Sequence, residues 1–172
     1  MNWLVYAFLT VATWGLYGVF LHSGQLAMGD PINGRYKAFL FVGIAYFIIA
    51  VLAPLAMLKI NGATMSFPSK GLWISLFAGT LGAIGAFGTL LAFGAKGSPA
   101  VVMSIVFAGA PIVNSIASML MHPPKDGIGS VPWQFYLGMV MAAAGGCLVV
   151  YFKPPPAPAA KTASAAAASP AR

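Results

Sequence analysis

Acidic side chains are almost missing from this sequence: its 172 residues include two Asp or Glu against nine Lys or Arg, and charged residues make up only 6% of the chain. Hydrophobic residues make up 60%. Because so few charges cannot cover a globular surface, a water-soluble domain is excluded and a lipid bilayer is the expected surrounding. The basic residues lie singly between apolar runs, as in membrane proteins, so a nucleic-acid partner is not expected.

Residues that carry catalysis or hold metals are equally scarce. Asp30 and Asp126 are the only acids, His22 and His122 lie in polar segments, and the sequence has no zinc-ligand spacing or phosphate-binding loop. We therefore expect no enzyme, no metal and no cofactor. The single Cys147 excludes an intrachain disulfide. No carboxylate lies within an apolar run, so coupling to protons through an intramembrane acid is not expected.

Five apolar runs are each about as long as the roughly 20 residues that a helix needs to cross the hydrocarbon core. The third and fourth runs form a predicted hairpin around a short polar break, Lys96 to Pro99. No basic segment precedes the first run and no small-residue cleavage site follows it, which favours a retained anchor over a signal peptide. The predicted transmembrane spans are residues 3–21, 38–58, 72–95, 100–120 and 132–152.

Turn formers and composition divide the rest of the chain. A polar loop is predicted from His22 to Lys37, Pro54 lies toward the end of the second span, and Pro132 suits the first turn of the fifth. From Lys153 the sequence becomes a Pro, Ala and Ser tail without large apolar side chains, so residues 153–172 are predicted to be disordered. The predicted fold class is an all-α integral membrane protein with one five-helix transmembrane domain, residues 1–152.

The basic residues also bear on orientation. Three accompany the N-terminus on one side of the membrane, whereas the opposite side has four near the spans and two more in the tail. The positive-inside rule then favours an N-terminus outside and a cytoplasmic C-terminus, in the plasma (inner) membrane. Because the margin near the spans is only about one charge, insertion in both orientations stays open. The three residues on the side of the N-terminus are Lys59, Lys70 and Lys125, and the four near the spans on the opposite side are Arg35, Lys37, Lys96 and Lys153.

The first span has a regular stripe of hydroxyl groups. Tyr6, Thr10, Thr13 and Tyr17 recur at helical spacing and lie within roughly 60° of one another on one face, with Trp14 at its border. In a bilayer such a face should point at other helices or at a wet cavity, because hydroxyls that face lipid lose their partners. Both interpretations, helix-to-helix hydrogen bonding and a cavity lining, stay open.

The fourth span combines polar residues with a proline. Pro111 removes its own donor and frees the carbonyl of Phe107, which predicts a helix kink or a small polar spot. Ser104 lies on the same side, although serines often bond back to their own helix. Asn114 is the stronger candidate for a binding role, since a buried amide carries both donor and acceptor. In the second span, Tyr46 is the central polar residue.

The third span is rich in small residues: Gly79, Gly82, Gly85 and Gly88, with Ala83, Ala86 and Thr89 completing small-xxx-small pairs. We expect these glycines to allow close approach of neighbouring helices. The alternative is that the missing side chains make room for a substrate.

Three sequence segments carry a resemblance to a known family: ATWGLYG at residues 12–18, LAFGAKGSPA at 91–100 and AGAPIV at 108–113. With them, residues 3–152 resemble one five-helix, EamA-like half of the drug/metabolite transporter superfamily. GMVMAAAG at residues 138–145 is similar to the dimerisation stretch in the last helix of the small multidrug resistance proteins, which implies a dimer interface at Gly138, Ala142 and Gly145. Those relatives carry an essential Glu in the first span, where this sequence has Thr13.

The resemblance implies a carrier that moves a small organic metabolite by alternating access. It also implies a dimer of five-helix halves, either a homodimer or a heterodimer with a second half. The residues that we expect to line the substrate cavity are Thr13, Trp14, Tyr17, Tyr46, Ser104 and Asn114. The competing hypothesis is a non-transporting membrane subunit that binds another membrane protein through its small-residue helix faces.

Overall fold

The computed structural model describes residues 2–154, and within them the chain is helical without strands. Five helices are long and apolar enough to cross a membrane, as the sequence predicts. A single 3₁₀ turn, Ile128–Ser130, precedes the last of them. The predicted disordered tail lies, from residue 155 onward, outside the described residues. The helices are α1 Trp3–Ala27, α2 Gly34–Ile60, α3 Ser69–Gly94, α4 Pro99–Met121 and α5 Trp133–Tyr151.

The first two helices are longer than the apolar runs indicate. α1 continues past Leu21 to Ala27, and α2 begins at Gly34, so that the predicted loop from His22 to Lys37 shrinks to residues 28–33. Two of the polar residues after Leu21 make contacts that are compatible with the helix: the Ser23 hydroxyl donates to the Val19 carbonyl at 2.9 Å. The ring of His22 packs edge-on against Phe93 of α3, with centroids 5.4 Å apart. The ends of α3, α4 and α5 lie within three residues of the predicted spans.

A π-helical segment interrupts α2 at Ile48–Leu52. There the N–H of Ala53 donates to the carbonyl of Ile48, five residues back. Pro54 follows at once, and a proline ring has no N–H and collides with the carbonyl four residues before it, here that of Ala50. Widening the helix by one residue relieves this conflict and changes which side chains face α1.

A carboxylate organises the turn between α1 and α2. Asp30 accepts hydrogen bonds from the backbone N–H of Asn33 at 2.8 Å and of Ile32 at 3.1 Å, and it pairs with the ammonium of Lys37 at 2.7 Å. These interactions, led by the Asn33 N–H, lower the pKa of Asp30 to about 2. Gly29 supplies the left-handed backbone of this turn, with φ of 64°.

Fully buried residues lie toward one end of the first four helices. We call it the closed end, formed by the turns at residues 28–33 and 95–98. The apolar core there contains Leu21, Leu90, Phe93 and Met103. The Met103 side chain lies directly on Gly18, where a Cβ would come within 2.5 Å of it. Short turns draw the end of α1, the start of α2, the end of α3 and the start of α4 together at this end.

The opposite end is loosely packed. We call it the open end, formed by the N-terminus and by the connections at residues 61–68 and 122–132. No residue of 2–17, 43–85 or 104–154 is fully buried. The expected close helix approach at Gly79, Gly82, Gly85 and Gly88 is wrong within the described chain, because a Cβ at any of them would meet nothing within 4 Å. The reason is that the buried face of α3 is formed by Ala86, Thr89, Leu90 and Phe93, and none of the four glycines belongs to it.

The last helix, α5, packs mainly against α4. Gly146 allows this approach, since a Cβ there would lie 2.5 Å from the Cβ of Ala108. The partly buried side of α5 includes Met139 and Ala143, at helical spacing from Gly146. The predicted dimer residues Gly138, Ala142 and Gly145 are exposed, and a Cβ at either glycine would meet nothing within 4 Å.

Candidate functional site

Two threonine hydroxyls of the α1 stripe bond to their own helix. Thr10 donates to the Tyr6 carbonyl at 2.9 Å, and Thr13 donates to the carbonyls of Leu9 at 2.9 Å and Thr10 at 3.2 Å. Such bonds satisfy the hydroxyls locally. Within the described chain these two threonine hydroxyls therefore bond within α1 rather than to another helix. Their side chains can still line a neighbouring cavity.

A cavity of about 530 Å³ lies between α1 and α2, and we call it the α1–α2 cavity. This volume is in the range of small-molecule sites. It brings together four of the six predicted substrate residues, which come from two helices and from positions up to 33 apart in the chain. The lining residues are Thr13, Trp14 and Tyr17 of α1, and Val42, Ala45, Tyr46, Ile49 and Ala50 of α2.

Tyr17 is the polar residue that distinguishes this cavity. Its hydroxyl oxygen is buried and has no hydrogen-bond partner among the described residues. Its ring lies beside that of Trp14, with centroids 5.8 Å apart. Buried hydroxyls in folded proteins are nearly always hydrogen-bonded, because an unpaired one costs about 1 to 3 kcal/mol. A ligand with a hydroxyl, carbonyl or amide group would supply the missing bond.

A second cavity, of about 590 Å³, lies on the other side of Trp14, between α1 and α4. Trp14 contributes to the walls of both cavities, and its indole meets the ring of Phe107 edge-on at 6.5 Å. It is therefore the partition between them. The residues that line this α1–α4 cavity are Thr10, Val11, Trp14, Gly15, Val106, Phe107, Ala110 and Pro111.

Neither cavity is lined by an ionisable acid or base other than tyrosine. A charged ligand would lose its hydration there without gaining a charged partner, which is strongly unfavourable. Aromatic rings and hydroxyls instead suit a neutral or amphipathic organic molecule, whose apolar part stacks on Trp14 and whose polar group reaches Tyr17 or Tyr46.

Two predicted substrate residues lie apart from this site. Ser104 lines neither cavity, and its hydroxyl donates to the Ala100 carbonyl of its own helix at 2.6 Å. The Ser104 backbone borders Gly146 of α5. Asn114 is exposed and has no hydrogen bond to a described residue. It follows Phe107 by seven residues, close to two helical turns, and so lies on the same face of α4, nearer the open end.

Pro111 sits within a helix that the structure carries through without interruption, from Pro99 to Met121. It forms part of the α1–α4 cavity wall together with Phe107. The kink predicted at this position stays a prediction.

Sequence reasoning missed the aliphatic residues that α2 contributes to the site. Ile49 and Ala50 line the α1–α2 cavity from within the π-helical segment, where simple helical spacing from Tyr46 does not hold. Pro54 was the one available signal, because it predicts a disturbance one turn earlier. Phe107 and Val106 gave no polar signal at all.

No protein-family model matches the chain, and no curated protein or solved structure was found to match it. The resemblance to the EamA-like half therefore rests on the three sequence segments alone. The site itself has to be interpreted from its own chemistry. Within residues 2–154 no three His, Cys, Asp or Glu side chains are grouped as metal ligands.

Proposed function

We propose that this protein is a half-sized membrane transporter for a small neutral or amphipathic organic solute. The observation that carries the proposal is the α1–α2 cavity, in which Trp14, Tyr46 and the unpaired hydroxyl of Tyr17 meet at a volume suited to a metabolite. Trp14 offers a ring surface to the apolar part of the solute, and the two tyrosines offer hydrogen bonds.

The open end supports the view that the chain is one half of a larger transporter. Within residues 2–154 Asn114 is exposed, and a Cβ at Gly79, Gly82 or Gly85 of α3 would meet nothing within 4 Å. In a bilayer, an amide that faces lipid lacks a partner, and small-residue faces favour helix association. A second five-helix half would cover both. Because five is an odd number, an inverted second copy or a separate partner chain would give the inverted repeats common in transporters.

In this proposal the closed end is the rigid part and the open end is where the halves separate. Each half keeps its core of Leu90, Phe93 and Met103 while the two rock against each other, so that the cavities beside Trp14 face one side of the membrane at a time. The proposed setting is the plasma (inner) membrane with a cytoplasmic C-terminus. No membrane-embedded carboxylate takes part.

The test is uptake into proteoliposomes from a panel of labelled neutral solutes: sugars, nucleosides and amino acids. Trp14→Ala removes the partition and the stacking surface, so we expect at least about a tenfold fall in the uptake of any transported solute. The matched control is Trp133→Ala, a tryptophan that is 66% exposed and lines neither cavity. Uptake that is lost equally in both variants, or in neither, would contradict the assigned cavity.

A second function is favoured by the small-residue faces. Gly79 and Gly82 on α3, and Gly138 and Gly145 on α5, leave space around them. Small-residue faces of this kind allow a helix of another membrane protein to approach closely. Purification in mild detergent distinguishes the two: a homodimer supports the transporter, whereas a monomer that co-purifies with one unrelated membrane protein supports the subunit.

A further inference from the structure

A polar pocket lies at the closed end, remote from the two cavities beside Trp14. It has a volume of about 320 Å³ and is formed where the turn between α1 and α2 meets the end of α3. Gln25, Asp30, Arg35 and Gly94 contribute to its wall, and we call it the Arg35 pocket. The proposed transport cycle assigns it no role.

Two buried polar atoms in this pocket have no partner among residues 2–154. They are Nε of Arg35 and Oε1 of Gln25. A third, Nδ1 of His22, lies one turn before Gln25 on α1. Each buried group without a hydrogen bond costs about 1 to 3 kcal/mol, and more when charged. Because folded proteins seldom leave such groups unpaired, the unpaired donor of Arg35 in the pocket wall indicates that a hydrogen-bond acceptor from outside the described chain completes it.

The guanidinium of Arg35 is held in position by two neighbours. Its central carbon lies 4.9 Å from the centroid of the Tyr36 ring, a cation–π distance. On the other side it passes over Gly94, where a Cβ would lie 2.9 Å from Cδ of Arg35 and in steric conflict with Nη1. Only glycine at residue 94 allows the side chain to take this course. The guanidinium therefore has two close neighbours, the Tyr36 ring and the backbone at Gly94.

The charge in the pocket is unbalanced. The carboxylate of Asp30 is already occupied by Lys37 and by two backbone N–H groups. Arg35 has no ion pair and no hydrogen bond within the described chain. A guanidinium presents its donors as a planar fork that matches the oxygens of a phosphate, and Arg–phosphate pairs are among the strongest hydrogen-bonded contacts in proteins.

We propose that the Arg35 pocket binds a phosphate group, to which Arg35 donates through its guanidinium and Gln25 through the N–H of its side-chain Nε2. The group belongs either to a lipid headgroup or to a soluble phosphate ester. Its place beside the turn between two proposed spans, where the headgroups of a bilayer lie, suits the lipid source. This binding does not depend on transport, so it stands or falls separately from the proposed function.

The test is native mass spectrometry of the full chain in detergent with three probes: a phosphatidate, glycerol phosphate and inorganic phosphate. Arg35→Gln should weaken binding by at least about tenfold, since hydrogen bonds to a charged group are worth about 1.5 to 3 kcal/mol and 1.4 kcal/mol is tenfold. Lys96→Gln removes the same charge at the same end outside the pocket and should change binding less than about twofold.

A pair of glycine variants separates position from charge. Gly94→Ala displaces the guanidinium without removing it, so binding should fall by at least about threefold. Gly88→Ala, on the same helix, is the control, because a Cβ at residue 88 would meet nothing within 4 Å. It should leave binding unchanged. If Arg35→Gln proves unfolded by circular dichroism and gel filtration, Arg35→Lys, which keeps the charge but loses the fork, takes its place and should bind less well than wild type.

The probes identify the source of the phosphate. Binding of phosphatidate alone indicates a lipid headgroup, and binding of glycerol phosphate or inorganic phosphate indicates a soluble ligand. Either result supports the proposal when the Arg35 or Gly94 variants abolish it selectively. The proposal is overturned if wild type retains none of the probes, or if Lys96→Gln and Gly88→Ala weaken binding as much as their matched variants do.

Discussion

The two ends of the bundle are built from similar residues but are packed very differently. At the closed end Leu90 is 0% exposed and Gly18 accommodates Met103, whereas Leu81, at the middle of the same helix α3, is 55% exposed. Composition alone does not distinguish these positions, since both parts of α3 alternate large apolar and small residues. The difference teaches that burial along α3 follows the positions of its neighbouring helices rather than its hydrophobicity.

The largest expected effect on stability comes from truncating a side chain in the closed-end core. Leu90→Ala should lower the free energy of unfolding by about 2 to 5 kcal/mol, because it leaves a cavity among Leu21, Phe93 and Met103. Leu81→Ala, its counterpart toward the open end, should change that free energy by less than about 1 kcal/mol. Unfolding of both variants in detergent by denaturant titration measures the contrast. Equal losses would mean that the open end of α3 is buried by a partner under those conditions.

A second pair tests the close approach of α1 and α4. Gly18→Ala places a Cβ 2.5 Å from Cγ and 2.7 Å from Sδ of Met103, so the two helices must move apart or Met103 must leave its site. We expect a loss of about 1 to 3 kcal/mol in the free energy of unfolding. Gly15→Ala adds a methyl group in open space one turn earlier and should be neutral or slightly stabilising. The same titration reports both, and a loss at residue 15 equal to that at residue 18 would contradict the packing.

These contrasts show what the sequence could and could not predict. Run length and hydropathy were sufficient for five helices, because crossing a bilayer requires about 20 apolar residues whatever their neighbours. The small residues of α3 showed that helices could approach closely, but not whether a neighbouring helix exists. Close contact occurs instead at Gly18, Gly94 and Gly146, single glycines opposite one large side chain or a facing helix.

The candidate site was predictable where one helix determines it. Thr13, Trp14 and Tyr17 follow helical spacing on α1, and all three line the α1–α2 cavity. Ser104 could not be assigned, because the sequence does not show which helix packs against its side of α4, and in the structure Gly146 of α5 lies there. The contribution of Ile49 depends on the π-helical segment, whose register no regular periodicity describes.

A smaller effect should separate stability from binding at Tyr17. Tyr17→Phe removes a buried hydroxyl that lacks a partner, so the free energy of unfolding should stay constant or rise by up to about 1 kcal/mol. Uptake of the transported solute should nevertheless fall about three- to tenfold, because the solute loses a hydrogen bond. Tyr136→Phe is the control: its hydroxyl donates to the Ile128 carbonyl at 3.4 Å, away from either cavity, and its loss should leave uptake unchanged. A fall in stability without a fall in uptake would make Tyr17 a structural residue only.

The smallest expected effect concerns the turn that holds the closed end together. The pKa of Asp30 is lowered in the folded protein to about 2, from the ordinary value of about 3.9 that it has when unfolded. A lowered pKa stabilises the fold fully above the unfolded value, and the contribution is lost as the pH falls from about 4 toward 2. Asp30→Asn should therefore lower the unfolding temperature slightly at pH 7, and the difference from wild type should shrink as the pH falls from about 4 toward 2.

Two lysine variants test the ion pair. Lys37→Gln removes the partner of Asp30, and Lys125→Gln, at a lysine of the open end, changes the net charge in the same direction without touching the turn. Of these two lysines Lys37 is the one paired with Asp30, so Lys37→Gln should reproduce part of the Asp30→Asn effect at pH 7 and Lys125→Gln should not. If the difference in unfolding temperature between Asp30→Asn and wild type did not change with pH, the carboxylate would act through its shape rather than its charge.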